Sequence, residues 1–184
     1  MNKRKNLYTI VMILLAISFV FVISSPAFAY KLFTKGFFGQ DVPINTVEVH
    51  STYLTPVNNA INNWNFHHSI GAIPRKIIVG GAFKNRFITD YFATDWPGLY
   101  GIVKQDQAYY PHTTTEFVIL LNRTHLDSQS ATVRQSVAAH EFGHSFGLDD
   151  ITSGIAIMNI NRNRSSIYTA QQDDINGVKA SWNR

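Results

Sequence analysis

The stretch AHEFGHSFGLDD, residues 139–150, gathers the side chains in this chain best suited to chemistry. His140 and His144 are four positions apart, a spacing that on a helix stacks both imidazoles on one face about one turn (~6 Å) apart. Imidazoles so placed can share a single Zn²⁺ at about 2.0–2.1 Å. Glu141 is turned about 100° around the helix from His140. From there it addresses a water beside the metal rather than the metal itself, the place of a general base. A catalytic zinc takes three protein ligands and keeps one position open, so a third ligand is required. The chain has three glutamates, Glu48, Glu116 and Glu141, and none follows this helix. The later carboxylates are Asp149, Asp150, Asp173 and Asp174. Gly147 permits a sharp turn after which a residue three positions on can face back, which favours Asp150. Asp149 and a more distant Asp or His stay open at this point.

These residues need a frame. The segment from Thr132 through Leu148 is apolar on most sides, which predicts a central, largely buried helix. Thr132 and Gln135 have capping-box spacing at its start, and Gly147 suits its left-handed end. Upstream, Ile44–His50 reads as a strand, and Thr55 with Pro56 reads as the cap and first position of a helix. Val57, Ala60, Ile61 and Trp64 form one stripe of that helix, expected to lie on a sheet. RKIIVGG is a second strand, ending in a glycine pair. Gly98–Gln105 is an edge strand, either pairing with a bound peptide or covered by a loop, and TEFVILLN is a strand with an apolar centre. Thr169 and Gln172 repeat the capping spacing near the end, where Ile175, Val178 and Trp182 form another stripe. The predicted class is α+β, with an irregular stretch from Asp149 to Tyr168.

The chain has 184 residues and a net charge of +4, three units of which come from Lys3, Arg4 and Lys5. The remainder is nearly neutral and shows no clustered basic face, which excludes nucleic acid as an expected partner. That basic start precedes the uncharged run IVMILLAISFVFVI, and Ala27 and Ala29 supply the small residues a signal peptidase reads. Residues 1–29 are therefore expected to be a signal peptide, with 30–184 as one domain. If the segment is kept, it would anchor the chain to a membrane. Cysteine is absent, which excludes disulfides, a thiol nucleophile and Cys-ligated metal. Arg162 and Arg164 read as solvated loop cations, with attraction for acidic substrate side chains as the other reading. His50, His67, His68, His112 and His125 are scattered and are assigned no metal.

The run from His140 to Asp150 resembles the metzincin signature HExxHxxGxxH with Asp150 in place of the third histidine, as in the small bacterial snapalysins. FVILLNRTHL, HEFGHSFGL and YTAQQDDINGVKASW are each similar to matrixin segments, and Met158 stands where matrixins place their Met-turn methionine. The resemblance covers about Thr114 to Trp182 and, more loosely, the Thr55–Trp64 helix. It implies a metzincin-like (zincin) catalytic domain with a small twisted sheet, a central HExxH helix and a C-terminal helix. It also implies Zn²⁺ on His140, His144 and Asp150, with Glu141 as the catalytic residue and Met158 supporting the site from below. The activity implied is that of a monomeric, secreted zinc endopeptidase acting on protein or peptide substrates. The other function class is a zinc-holding binding module that has lost catalysis, against which the intact Glu141 argues. Asn159-Ile160-Asn161 departs from the matrixin Pro-x-Tyr, no tyrosine occupies Ile160, and the cysteine-switch propeptide has no counterpart here.

Overall fold

The run with the apolar centre becomes the middle strand of a three-stranded sheet. Strand β6 (Thr113–Asn122) pairs in parallel with β4 (Arg86–Asp90) and antiparallel with β5 (Gly98–Asp106). Alternation buries Phe117, Ile119 and Leu121 on one face. The structure is a computed structural model describing residues 30–33, 37, 41–106 and 113–182; the expected signal peptide lies outside the described residues. Two smaller pairs complete the β structure: β2 (Val42–Ile44) parallel to β3 (Ile77–Val79), and β1 (Lys31–Leu32) antiparallel to β7 (Leu148–Asp149). The helices are α1 (Ser51–Ser69), the single turn α2 (Arg123–Leu126), α3 (Ala131–Ser145) and α4 (Gln172–Trp182). The order is α+β as expected, and β5 lies at the outside of its sheet. β4 has no counterpart in the sequence reading, because five residues with two apolar ones carry too little periodicity to register.

The strand expected over Ile44–His50 is corrected to β2, which stops at Ile44. Asn45 ends it: its Oδ1 accepts from Val47 N at 2.9 Å and its Nδ2 donates to Gly81 O at 2.9 Å. An asparagine that takes the amide two residues ahead turns the chain instead of extending it. Helix α1 then begins at Ser51, four residues before the expected cap at Thr55. His50 is the actual cap, accepting from Thr52 N, and Pro56 falls inside the helix. A proline there leaves the carbonyl four residues back without its donor. That carbonyl belongs to Thr52, and Arg134 of α3 supplies the missing hydrogen from Nη1 at 3.3 Å.

The expected stripe of α1 is buried, but it packs on α3 more than on a sheet. Trp64 Nε1 donates to Ala139 O at 3.0 Å, and its ring lies 4.9 Å from that of Phe146. Burying a side chain of this size contributes about 1.5–3 kcal/mol. The caps of α3 and α4 also differ from expectation. Ser130 Oγ accepts from Val133 N at 3.3 Å, displacing the Thr132 box by two residues. At α4, Asp174 Oδ2 reaches back to Gln171 N at 2.7 Å, while Thr169 only receives the Gln171 side chain. Ile175 and Val178 are buried as expected, whereas Trp182 is half exposed under the Arg75 guanidinium.

Arg134 also donates to Leu126 O and Asp127 O and lies over the Tyr53 ring, so it joins α1, α2 and α3. Arg134→Met is expected to lower stability by about 1–2 kcal/mol in urea unfolding. Adding Pro56→Ala, which restores the amide facing Thr52 O, should recover part of that loss; no recovery would reject the compensation.

Candidate metal centre

Helix α3 is buried from Gln135 to Ser145 although it carries His140, Glu141 and His144. Both imidazoles are held by backbone carbonyls. His140 Nδ1 is 2.9 Å from Ile157 O, and His144 Nδ1 is 2.9 Å from Leu148 O. A carbonyl only accepts, so each Nδ1 carries the proton and each Nε2 presents a lone pair. Both Nε2 atoms face Asp150 Oδ1, at 3.1 Å from His140 and 3.6 Å from His144. Ligand atoms of the three residues lie within 4.8 Å of one another, so together they could hold a metal ion. Two nitrogen lone pairs and a carboxylate oxygen repel one another unless a cation or a proton stands between them. The donor set, two imidazoles and one carboxylate, suits zinc. Burial, together with the nearness of His140, lowers the pKa of His144 to about 4, which keeps it a neutral ligand.

Gly147 turns the chain as the spacing suggested, with φ of +88°, and Asp149 and Asp150 then point to different partners. Asp149 Oδ2 pairs with Lys31 Nζ at 2.6 Å and its Oδ1 accepts from Asp150 N at 2.9 Å. Asp150 turns to the histidines. Asp174, another of the open alternatives, is buried behind the site, where it accepts from Ile157 N at 2.7 Å and Met158 N at 3.2 Å. It thereby fixes the turn whose carbonyl orients His140. Met158 itself is buried under the helix. A Cβ at position 143 would collide with its sulfur, so only glycine fits between the two histidine turns.

Glu141 lines a cleft of about 410 Å³ together with both histidines and Asp150. Its carboxylate makes no hydrogen bond with any described residue. Burial raises its pKa to about 7, Asp150 adding to the rise while His140, Arg162 and Arg164 oppose it. The first residue of β5 passes directly over it. A Cβ on Gly98 would stand 2.5 Å from Glu141 Oε1 and 2.7 Å from Val137 Cγ1. Phe33 and Tyr100 pack around His144, with ring centroids 5.7 and 6.0 Å away.

Arg162 corrects the expectation of a solvated loop cation, since it is buried. Its Nε donates to Ser136 Oγ at 3.1 Å, Nη2 to Ser136 O at 2.9 Å and Nη1 to Asn159 O at 3.0 Å. Nη1 also lies 3.2 Å from His140 Nδ1. That contact is a close approach rather than a hydrogen bond, because both groups already donate to carbonyls. Arg162, Asp174, Ser136 and Gly98 were not assigned structural roles from the sequence. Nothing in the local pattern distinguishes them from ordinary loop, helix-start, helix and strand residues.

The fold and this arrangement have parallels among known proteins. The chain is similar to myroilysin, with a TM-score of 0.52 at 11% identity, over 82% of this chain and 96% of that one. A chain of the GM1-bound form of the ECX AB5 holotoxin is similar at a TM-score of 0.49 and 12% identity, over 84% of each, a likeness that adds nothing to the assignment. The first of these supports the fold. The family model for matrixins matches residues 58–183, a span that includes α3, Asp150, Met158 and all of α4. With that match over more than half its length, the chain belongs to the matrixin family.

Proposed function

We propose that the protein is a zinc-dependent endopeptidase in which His140, His144 and Asp150 hold the metal and Glu141 moves the proton. The observation that carries this reading is the Glu141 carboxylate, buried in the cleft without a hydrogen-bond partner among the described residues, beside three converging ligand atoms. When bound, zinc would polarise the scissile carbonyl and make a water molecule more acidic. Glu141 would take a proton from that water on its cleft-lining carboxylate and pass it to the leaving amine nitrogen. A carboxyl raised toward neutrality performs both transfers without a large driving-force penalty in either direction. The outer edge of β5, which pairs with no other strand among the described residues, is suited to hold an extended peptide above the helix. Half-exposed Leu99 and exposed Trp96 offer that peptide apolar contact at the cleft mouth.

The protein is proposed to act outside the cell. Support comes from the basic start, the apolar run and the Ala27/Ala29 pair.

Peptide hydrolysis by residues 30–184, measured with zinc content, tests the assignment. Glu141→Gln is expected to keep its zinc and lose kcat on the order of 10²–10⁴-fold. Asp150→Ala should lose zinc retention by orders of magnitude, whereas Asp149→Ala should keep it. Equal turnover in Glu141→Gln would remove Glu141 from the mechanism, and full zinc in Asp150→Ala would remove the third ligand.

Glu141 also has a stability signature in metal-free protein. Its pKa rises from 4.5 to about 7 on folding. The folded chain therefore holds a proton that the unfolded chain releases, and stability falls as pH rises through that window. Glu141→Gln removes the penalty. Its advantage in Tm over wild type should grow from about pH 4.5 to 7 and then level off. An advantage independent of pH would show that Glu141 is not desolvated as described.

A further inference from the structure

A second cavity, of about 490 Å³, adjoins the cleft and shares Pro97, Arg162 and Arg164 with it. Its apolar part comes from Leu126 and from Val133, which sits one helical turn before the cleft residue Val137. Its charged part is entirely cationic, because no carboxylate is among the lining residues. Arg162 is held by three hydrogen bonds to Ser136 and Asn159, and it pins the segment carrying Arg164 against α3. Arg164 is in the opposite condition. Its Nε is buried without a partner, and among the described residues its side chain makes no hydrogen bond or ion pair.

Two guanidinium groups facing one cavity repel, and desolvation strengthens that repulsion. The proximity is enough for Arg164 to contribute to lowering the pKa of Arg162, after burial as the larger cause. Such a pair is stabilised by an anion, and the planar fork of an arginine matches a carboxylate through two parallel N–H donors. A peptide lying along β5 across Glu141 would present a side chain next to its scissile bond to this cavity.

We propose that this cavity is a subsite for an acidic side chain, aspartate or glutamate, adjacent to the scissile bond of the substrate, and that Arg164 reads its carboxylate. The proposal rests on the peptidase reading for its register. Lysine- or arginine-bearing peptides would meet like charge there, and glutamine would leave the unpartnered Nε facing a neutral acceptor. The preference is therefore electrostatic and should weaken as salt is raised.

The test uses two peptide series that differ only by Glu or Gln, with that residue moved through each position flanking the cleaved bond. Wild type is expected to favour Glu over Gln in kcat/KM by about tenfold to a hundredfold, at one position alone. Arg164→Glu should reverse the preference toward Lys at that position, and Arg164→Met should bring the Glu/Gln ratio close to one. The thermal midpoint of each variant shows that it folds. A wild-type ratio near one at every position, or a ratio unchanged in both variants, overturns the subsite. Binding of the same peptides to Glu141→Gln, read by fluorescence anisotropy, separates the two readings. If wild type cleaves nothing, yet Glu peptides bind more tightly than Gln peptides and Arg164→Glu abolishes the difference, the subsite stands and the hydrolytic reading fails. Equal binding of both peptides overturns the subsite whether or not cleavage is seen.

Discussion

Everything in this structure answers to the burial of a polar helix. From Gln135 to Ser145, α3 has no solvent-facing side, yet it carries two imidazoles, a carboxylate, an amide and two hydroxyls. A buried donor or acceptor left unpaired costs about 1–3 kcal/mol, so each needs a partner. The irregular chain after the helix supplies them. Leu148 O and Ile157 O take the two histidines, Ile167 O takes Ser136 and Tyr168 O takes Gln135. The stretch that lacks repeating structure is thus ordered by a row of carbonyls matched to one helix face. Ser145 donates to Phe142 O within the helix, and Glu141, which lines the cleft, is the member of this set with no hydrogen bond to any described residue.

That row of carbonyls must itself be held in place, and buried charge does it. Asp174 receives three backbone amides, from Ile157, Met158 and Gln171, and so ties the start of α4 to the turn beneath the histidines. Arg162 ties the far side of the same turn to Ser136 on α3. Burial pushes the Asp174 pKa up and the Arg162 pKa down to about 10, in each case against the hydrogen bonds or charges that favour ionisation. Arg162 therefore stays charged near neutrality, and the three amides on Asp174 oppose the upward push of burial. Charge-assisted hydrogen bonds of this kind give geometric definition to a loop that apolar packing alone would leave loose.

Close approach imposes the remaining constraints. Glycine at 143 admits the sulfur of Met158 against the helix between the two histidines, and glycine at 98 lets β5 cross the Glu141 carboxylate. Each is a place where a single methyl group would displace the parts that chemistry requires. The cleft therefore owes its shape to two missing side chains as much as to the residues that line it. It is open toward Trp96 and Leu99 and continues toward the cationic cavity at Arg164.

The sequence by itself determined the chemistry at close range. His140, Glu141 and His144 are placed relative to one another by helical geometry, which depends only on local spacing, and Gly147 with Asp150 follows within one turn of chain. The apolar stripe of α1, the strands β3, β5 and β6 and the burial of Ile175 and Val178 were readable for the same reason, because periodicity is a local property. Tertiary structure alone decided what spacing does not encode. It gave Asp149 to Lys31 and Asp150 to the histidines, where the spacing after Gly147 favours Asp150 but leaves its neighbour open. It turned the chain at Asn45, started α1 at His50 by giving Thr52 O a donor from Arg134, and converted Arg162 from an apparent surface cation into a buried clamp. Apart from the contact of Asp150 with the histidines, each of these depends on a partner tens of residues away, brought close only in the folded chain.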